Sequence, residues 1–354
     1  MNQNSPLAKT NSQLQQIEKV FAGKKRLLCV LHNYPDPDAM ASAMALSFLA
    51  REKFRLQTSI AYGGFIGRAE NIAMIRELKI RLKQLSRLRL NRYDCIAMLD
   101  TQPGAGNNSF PPGKLCHLVF DHHPLRRSKN VVFSIVDNEI GALSTLFVEL
   151  LIAADIQIPS NLATALSYAI RSETQDLGRE TSQRDINSYL AVFSKANMRK
   201  LAKISQPKLP RSYFITLAKT LHRTISYRQI ICSHLGEIDA PEIVGEMADL
   251  LLRHTRISWS LCTGRFNGDL HLSLRSSNPN ARAGNMIQRI VNDKKNSGGH
   301  GMFAGGKISL NNLTEEEILS LEMTLSNKLA RNLGFKNVSW NAVINDGESE
   351  NLDD

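Results

Sequence analysis

A histidine and two aspartates that stand close together give the first chemical signal in this chain. His32, Asp36 and Asp38 follow the apolar run 26–31 (RLLCVL) and lead into 39–50, which has the composition of a helix. Imidazole and carboxylate groups without a thiolate suit a hard or borderline divalent cation such as Mn²⁺ or Mg²⁺. Taken alone, the segment fits a hydrolytic metal site and a solvated Asp-Pro turn with an Asp helix cap equally well.

Two further apolar runs end in potential metal ligands. Residues 93–99 (YDCIAML) lead to Asp100, and residues 116–120 (CHLVF) lead to Asp121, His122 and His123. Ligands of open α/β sheets gather at the carboxyl ends of the strands, so these side chains are expected along one edge of a sheet. Because three runs end in the same way, the sequence predicts a metal site rather than unrelated polar turns.

The motifs resemble those of the DHH phosphoesterase superfamily, which is named for the triplet found here at 121–123. The resemblance extends from about Leu27 to Leu310. The fourth motif of that family usually reads Asp-Thr after an apolar helix. Here the matching text, 172–176 (SETQD), puts Glu173 at the ligand position and leaves Asp176 as the alternative ligand.

The resemblance also implies a division of roles among the motif residues around two Mn²⁺ ions, with Mg²⁺ as the alternative. Asp100 would bridge the ions, Asp121 would orient an imidazole, and His123 would lie beside the substrate. The implied ligands are His32, Asp36 and Asp100 for one ion, and Asp38, Asp100, His122 and Glu173 for the other.

Near the C-terminus, residues 297–306 (SGGHGMFAGG) are similar to the signature of the DHH-associated C-terminal domain. Glycines let a backbone approach phosphate closely, so this domain is expected to bind the substrate. The candidate substrate-binding residues are Arg275, Arg282, Gly298, Gly299 and His300. The alternative interpretation is a flexible connection before the last strand, in which His300 forms a hydrogen bond within its own loop.

The function implied by the resemblance is a two-metal phosphoesterase acting on nucleotides or short single-stranded oligonucleotides. A nanoRNase-like exonuclease is the first choice. A phosphatase for 3′-phosphoadenosine 5′-phosphate and a phosphodiesterase for linear or cyclic dinucleotides are the alternatives. Glu173 also leaves open a catalytically silent nucleotide-binding regulator, against which the other intact motif residues argue. The oligomeric state stays open, with a homodimer among the options.

Composition sets the broad class of the protein. The chain has 354 residues, 42% of them hydrophobic, which is enough for two domains with substantial cores. The most apolar stretch, 143–158, is interrupted by Glu149 and Asp155, so no membrane span is expected. The N-terminus lacks the pattern of a secretory signal, and the five cysteines lie outside any C-x-x-C motif. A cytoplasmic protein with reduced core cysteines is therefore expected.

The chain is strongly basic, with a formal net charge of +11. Six cations and no acidic residue lie between Lys79 and Arg92, interleaved with leucines at helical spacing. This pattern predicts a basic amphipathic segment. A solvated helix face is the preferred interpretation, because the segment offers no aromatic side chain on which a base could stack. The total charge would attract an anionic substrate.

Periodicity predicts an α/β protein with a mostly parallel N-terminal sheet, helices on both faces, and a smaller α/β C-terminal domain. The N-terminal strands are expected at 26–32, 55–62, 93–99, 116–121 and 131–136, and helices at 38–53, 68–78, 141–154, 161–170 and 184–200. Later signals are an Asn267-Gly268 hairpin and a capping box of Thr314 and Glu317. The expected domains are a metal-binding catalytic domain at 12–202, a linker at 203–212, a substrate-binding domain at 213–336 and a disordered acidic tail at 337–354.

Overall fold

The structure is a computed structural model that describes residues 6–126, 128–178, 180–293 and 296–344, without the side chains of residues 6, 7 and 300. The chain folds into two compact units that divide between Lys208 and Leu209.

Unit 1 contains the predicted strands in the predicted order, together with helix 6–21 and strand 82–84, which were not predicted from the sequence. Its helices are α1 (Pro6–Phe21), α2 (Pro37–Phe54), α3 (Ala69–Leu78), α4 (Leu143–Ala153), α5 (Ser160–Glu173), α6 (Gln183–Phe193) and α7 (Met198–Ser205). Its strands are β1 (Arg26–Val30), β2 (Gln57–Tyr62), β3 (Leu82–Gln84), β4 (Cys95–Leu99), β5 (Cys116–Asp121) and β6 (Val131–Val136).

The strands of unit 1 form one parallel sheet in the order β3-β2-β1-β4-β5-β6. The predicted α/β class is therefore confirmed. The strand order reverses between β1 and β4, and the gap beyond the carboxyl ends of two such strands is where ligands of open α/β sheets bind.

The two faces of this sheet are covered differently. Leu27, Cys29 and Leu31 share one core cluster with residues of the long helices, including Leu46 of α2 and Leu146 of α4. Leu28 and Val30 point to the opposite face, where leucines of the segment between β3 and β4 cover them. That segment contains two short turns of 3-10 helix, Leu85–Arg87 and Leu90–Arg92. Because β1 is buried on both faces, its sequence is a continuous apolar run rather than an alternating one.

Two predicted helical stretches of unit 1 differ from the structure. The single helix expected at 184–200 is two helices, because the Asn197 side chain caps α7 by accepting from the Lys200 N–H, 3.1 Å away. The basic segment 79–92 is not a helix. Its first residue, Lys79, ends α3 in the left-handed conformation. Leu82 then lies in strand β3, and the later leucines of the segment contact one face of the sheet.

Unit 2 is a second α/β unit built on a mixed sheet. Its helices are α8 (Arg211–His222), α9 (Glu242–Leu251), α10 (Ala283–Val291) and α11 (Glu315–Asn332). Its strands are β7 (Thr224–Tyr227), β8 (Ile230–Glu237), β9 (Trp259–Phe266), β10 (Asp269–Ser276), β11 (Ser297–His300), β12 (Phe303–Ser309) and β13 (Asn341–Ala342). The sheet order is β11-β12-β10-β9-β8-β7-β13, with β8 and β9 parallel and the other pairs antiparallel.

Two local predictions for unit 2 are confirmed and a third is corrected. Asn267 and Gly268, with φ of 50° and 80°, form the tight hairpin turn between β9 and β10. The capping box of Thr314 and Glu317 is present at the start of α11. The prediction of a disordered tail from residue 337 is wrong at its start, because Asn341–Ala342 pair with β7 as strand β13. The acidic run 345–354 lies outside the described residues.

The cysteines and the helix lengths bear on the remaining compositional expectations. All five cysteines are buried and free, as expected of core thiols. Among the helices of the described ranges, none is long and apolar enough to cross a membrane.

Candidate metal centre

The predicted ligands of unit 1 meet beyond the carboxyl ends of three neighbouring strands. His32 follows β1, Asp100 follows β4, and the triplet 121–123 begins on the last residue of β5. Since β1, β4 and β5 are adjacent and parallel, strand ends that are far apart in sequence come together at the strand-order reversal.

Two overlapping groups of ligand atoms have the spacing of a metal site. His32, Asp36 and Asp100 each offer one atom within 4.8 Å of the others, and so do Asp100, His122 and His123. The His32 Nε2 atom lies 3.4 Å from Asp100 Oδ2, and the His122 Nε2 atom lies 3.4 Å from Asp100 Oδ1. Asp100 thus offers one carboxylate oxygen to each group.

Asp100 is held at this position by its backbone. Its N–H donates to the Phe120 carbonyl at 2.9 Å, continuing the ladder between β4 and β5, and its φ of 56° turns the chain away from the sheet. The side chain is only 4% exposed. Its Oδ1 atom and the His122 Nε2 atom are buried and have no hydrogen-bond partner among the residues described. Buried polar atoms of this kind are costly unless another group satisfies them, and a divalent cation would satisfy both.

Asp36 caps a helix and also faces a candidate ligand. Its Oδ1 atom caps α2 by accepting from the Ala39 N–H at 2.9 Å, and Pro37 occupies the first helical position. Its Oδ2 atom lies 3.6 Å from His32 Nε2. The helix cap therefore fixes the carboxylate that faces the imidazole.

Asp38 is fully buried, and both of its oxygens accept hydrogen bonds from the start of α4. The Leu143 N–H donates at 2.6 Å and the Ser144 N–H at 2.8 Å. Burial and the charge of Asp100 raise the pKa of Asp38 to about 7, against the lowering effect of the His122 charge. Each oxygen keeps a second lone pair, so the contact orients the carboxylate without excluding a metal ion.

Glu173 is the last residue of α5 and faces the same cluster of carboxylates. Burial, followed by the charges of Asp36, Asp38 and Asp100, raises the pKa of Glu173 to about 8. Asp176 is placed differently. Its side chain is 73% exposed and forms a 2.6 Å ion pair with Arg171. The structure therefore gives the alternative ligand Asp176 a partner on the surface and leaves Glu173 near the centre.

The imidazoles partly balance this negative charge. Burial lowers the pKa of His32 and His122, but the nearby carboxylate of Asp100, together with Asp36 for His32 and Asp38 for His122, raises both pKa values to about 10. Burial raises the pKa of Asp100, but the three imidazoles around it bring that pKa well below its usual range. In the described part of the chain, no lysine or arginine pairs with Asp36, Asp38, Asp100 or Glu173. The centre is therefore chemically suited to cations.

Asp121 and His123 form a supporting arrangement beside the ligands. The Asp121 Oδ1 atom accepts from the N–H groups of His122 and His123 and lies 2.9 Å from His123 Nδ1. Its Oδ2 atom accepts from Gln102 Nε2 at 2.7 Å. With both oxygens engaged in this way, Asp121 orients the His123 ring. Sequence reasoning missed Gln102, and its only signal was its position two residues after Asp100.

The candidate substrate residues of unit 2 have several different environments. The Arg275 Nε atom donates to Asp249 at 2.6 Å, and its guanidinium stacks on Phe303. Arg282 is exposed at the start of α10 in the left-handed conformation, with φ of 50°. Gly298 lies in β11 with open space where a Cβ would be. The side chain of His300 lies outside the described residues.

Gly299 and Gly284 are explained by close packing. A Cβ at Gly299 would lie 2.2 Å from the Phe303 carbonyl oxygen, and one at Gly284 would lie 2.1 Å from the Gly299 oxygen. Side chains at these positions would separate β11 from β12 and α10 from β11. These two glycines have a structural reason for their presence, whereas Gly298 has none of this kind.

Known proteins similar to this chain were found by sequence and by structure. No family model matches. An uncharacterized protein of Methanocaldococcus jannaschii is 33% identical over 314 residues, which cover 88% of this chain and 64% of that protein. The chain thus spans less than two thirds of that relative. An exopolyphosphatase-related protein from Bacteroides fragilis has a TM-score of 0.71 at 16% identity, covering 90% of this chain and 97% of that one.

The exonuclease RecJ bound to manganese also matches, with a TM-score of 0.48 at 15% identity, over 92% of this chain and 95% of that chain. The Bacteroides likeness extends over both units and establishes the fold. The architecture expected from the motifs is therefore confirmed.

Proposed function

We propose that this chain, which has the fold of the DHH phosphoesterase superfamily, is a metal-dependent hydrolase of phosphate esters. The observation that carries the proposal is the pair of buried atoms Asp100 Oδ1 and His122 Nε2, which have no hydrogen-bond partner among the described residues. Unsatisfied buried polar groups and perturbed pKa values concentrate at functional sites.

Two divalent cations are proposed, Mn²⁺ in the first place and Mg²⁺ as the alternative. One would be held by His32, Asp36 and Asp100, and the other by Asp38, Asp100, His122 and Glu173. Four carboxylates in one centre support two ions rather than one, because imidazoles bind metal in their neutral form and a single divalent cation then balances only two of the carboxylates. When bound, such ions activate a water and neutralise the phosphate and its leaving oxygen.

The chain's own residues would then position these groups. The N-terminal N–H groups of α4 hold Asp38, the cap of α2 holds Asp36, and Gln102 holds Asp121. We propose that His123, whose side chain is 37% exposed, contacts the substrate and donates to a phosphate oxygen or to the leaving group. Its Nδ1 edge faces Asp121, so Nε2 is the atom proposed to reach the substrate.

Nucleotides or short single-stranded oligonucleotides, cleaved from an end, are the proposed substrates. The net charge of +11 supports an anionic substrate. In unit 2, exposed Arg282 and the open backbone of Gly298 are the proposed phosphate contacts. Arg275 is a weaker candidate, because Asp249 already pairs with its guanidinium.

An assay with purified full-length protein tests the function. Mn²⁺ is titrated against a panel of dinucleotides, longer oligomers, 3′-phosphoadenosine 5′-phosphate, cyclic dinucleotides and inorganic pyrophosphate. We expect Mn²⁺-dependent release of product from at least one phosphate ester. Nucleotide binding without turnover at any Mn²⁺ concentration would refute the hydrolase and favour a silent regulator, and cleavage of pyrophosphate alone would refute the ester substrates.

A further inference from the structure

The connection from β3 to β4 crosses one face of the parallel sheet without an α-helix. β3 ends at Gln84 and β4 begins at Cys95, and two other strands, β2 and β1, lie between them in the sheet. Consecutive parallel strands of one sheet are usually joined by a helix that crosses the face of the sheet. Here residues 85–94, called the basic strap below, take that place.

One side of the basic strap is apolar and packs on the sheet. Its inward side chains contact a core cluster that includes Val30 of β1 and Met98 of β4. These inward residues are Leu85, Leu88, Leu90 and Tyr93. Arg87, Arg89 and Arg92 alternate with them and are exposed. The leucines thus fix the strap on the sheet, and its arginines face outward.

The outward charge has no explanation in the fold. Six cations and no acidic residue lie between Lys79 and Arg92, against a net charge of +11 for the whole chain, so more than half of the excess lies in this stretch. In the part of the chain that the structure describes, Arg87, Arg89 and Arg92 form no ion pair or side-chain hydrogen bond. Unpaired like charges side by side repel each other, which points to an external anion.

The strap begins at the edge of the sheet that carries the metal centre. The Gln84 Nε2 atom donates to the Gly64 carbonyl at 3.1 Å, and a Cβ at Gly64 would lie 3.2 Å from the Asn33 carbonyl oxygen. Asn33 directly follows the candidate ligand His32. At the other end, the Asp94 carboxylate accepts from the N–H groups of Lys25 and Arg26 at the start of β1. The strap therefore runs from the sheet edge that carries the metal centre to the opposite edge.

We propose that Arg87, Arg89 and Arg92 bind successive phosphates of a linear phosphate polymer whose end lies at the metal centre. The inference rests on the proposed phosphoesterase function and adds a second site to it. No aromatic side chain faces outward from the strap, since Tyr93 is half-buried in the apolar cluster. Binding would therefore use the phosphates alone and be independent of sequence. A single-stranded nucleic acid and inorganic polyphosphate share this chemistry.

The test compares two triple variants of the full-length protein. Arg87→Gln, Arg89→Gln and Arg92→Gln together remove the arginine row. Lys195→Gln, Arg199→Gln and Lys208→Gln remove the same charge from exposed positions elsewhere in unit 1. Binding of a fluorescent single-stranded oligonucleotide of about twelve residues is followed by anisotropy in EDTA, which prevents metal-dependent cleavage, over a range of salt concentrations.

In single-strand binding, each phosphate contact contributes about −0.7 to the slope of log K against log salt concentration. The loss of three contacts therefore makes that slope shallower by about 2. The same relation predicts a loss of affinity on the order of tenfold to a hundredfold at 0.1 M salt for the strap variant and little change for the control. Mn²⁺-dependent turnover of a dinucleotide should be unchanged in both, because a dinucleotide is too short to reach the strap.

A strap variant that is folded and keeps the wild-type affinity and salt slope overturns the proposal, and so does an equal loss in the control. Competition with inorganic polyphosphate distinguishes the two sources of the ligand. Equal competition per phosphate identifies a general polyphosphate site, whereas weak competition identifies a nucleic-acid site. Because anisotropy needs no catalysis, absent turnover would refute the phosphoesterase while the strap result stands by itself.

Discussion

Replacing Asp100 with asparagine removes one negative charge from the metal centre and preserves its backbone. Asp100 has φ of 56°, and asparagine is one of the few residues that adopts this left-handed conformation readily. The amide is also nearly the same size as the carboxylate. The substitution therefore tests the charge of the side chain rather than the fold.

The size of the effect follows from the distances around Asp100. Its oxygens lie 3.4 Å from nitrogens of the candidate ligands His32 and His122, so an ion held by these groups would lie within about 4 Å of the carboxylate. Opposite unit charges about 4 Å apart attract by about 4 kcal/mol at an effective dielectric constant of 20, and a divalent ion is attracted more strongly. Since 1.4 kcal/mol is a factor of ten, Mn²⁺ affinity should fall by at least about a thousandfold.

Isothermal titration of Mn²⁺ into the wild type and Asp100→Asn measures this loss directly. Asp137→Asn is the matched control, since Asp137 follows β6, is similarly buried, and pairs with Arg184 at 2.8 Å instead of facing the cluster. The control should lose stability and keep its Mn²⁺ affinity. Turnover should disappear in Asp100→Asn, because the residue belongs to both groups of ligand atoms. A folded Asp100→Asn protein with wild-type Mn²⁺ affinity would refute the reasoning.

Three further predictions concern other parts of the chain. Glu173→Gln should weaken Mn²⁺ binding at least about tenfold in titration, whereas Glu173→Asp and Asp176→Asn should keep most of it; a larger loss in Asp176→Asn would reverse the assignment. Burial lowers the pKa of His234 from 6.5 to about 4, so its neutral form stabilises the fold above pH 6.5. In urea unfolding, the free energy of unfolding of the wild type should fall by about 2 kcal/mol more between pH 7 and pH 5 than that of His234→Asn. Equal losses in the two proteins would contradict this prediction. Residues 1–208 alone should fold and bind Mn²⁺ like the full chain, because that unit contains its own core and all proposed ligands; an unfolded fragment by circular dichroism would show the units to be interdependent.

The sequence by itself determined five of the six described strands of unit 1, their order along the chain and the residues at the ends of β1, β4 and β5. The runs that lead to His32, Asp100 and Asp121 are mostly apolar because β1, β4 and β5 are largely buried on both faces, and such runs are recognisable without a structure. The polar residue that ends each run is then a local feature of the sequence. The cap at Asp36 and the hairpin at Asn267-Gly268 are local in the same sense, since each depends on a few neighbouring residues.

Only the tertiary structure decided which residues those side chains contact. The start of α4 holds Asp38 across 105 positions of sequence, and Gln102 holds Asp121 across 19. The placement of Glu173 near the carboxylates, with Asp176 turned to Arg171, depends on where α5 ends relative to β1 and β4. The stretch 79–92 has leucines at helical spacing, yet Leu82 lies in strand β3 and the later leucines cover a sheet face, because the pairing of β3 with β2 starts the crossing. Such contacts join segments distant in sequence, and local periodicity contains no information about which surfaces will meet.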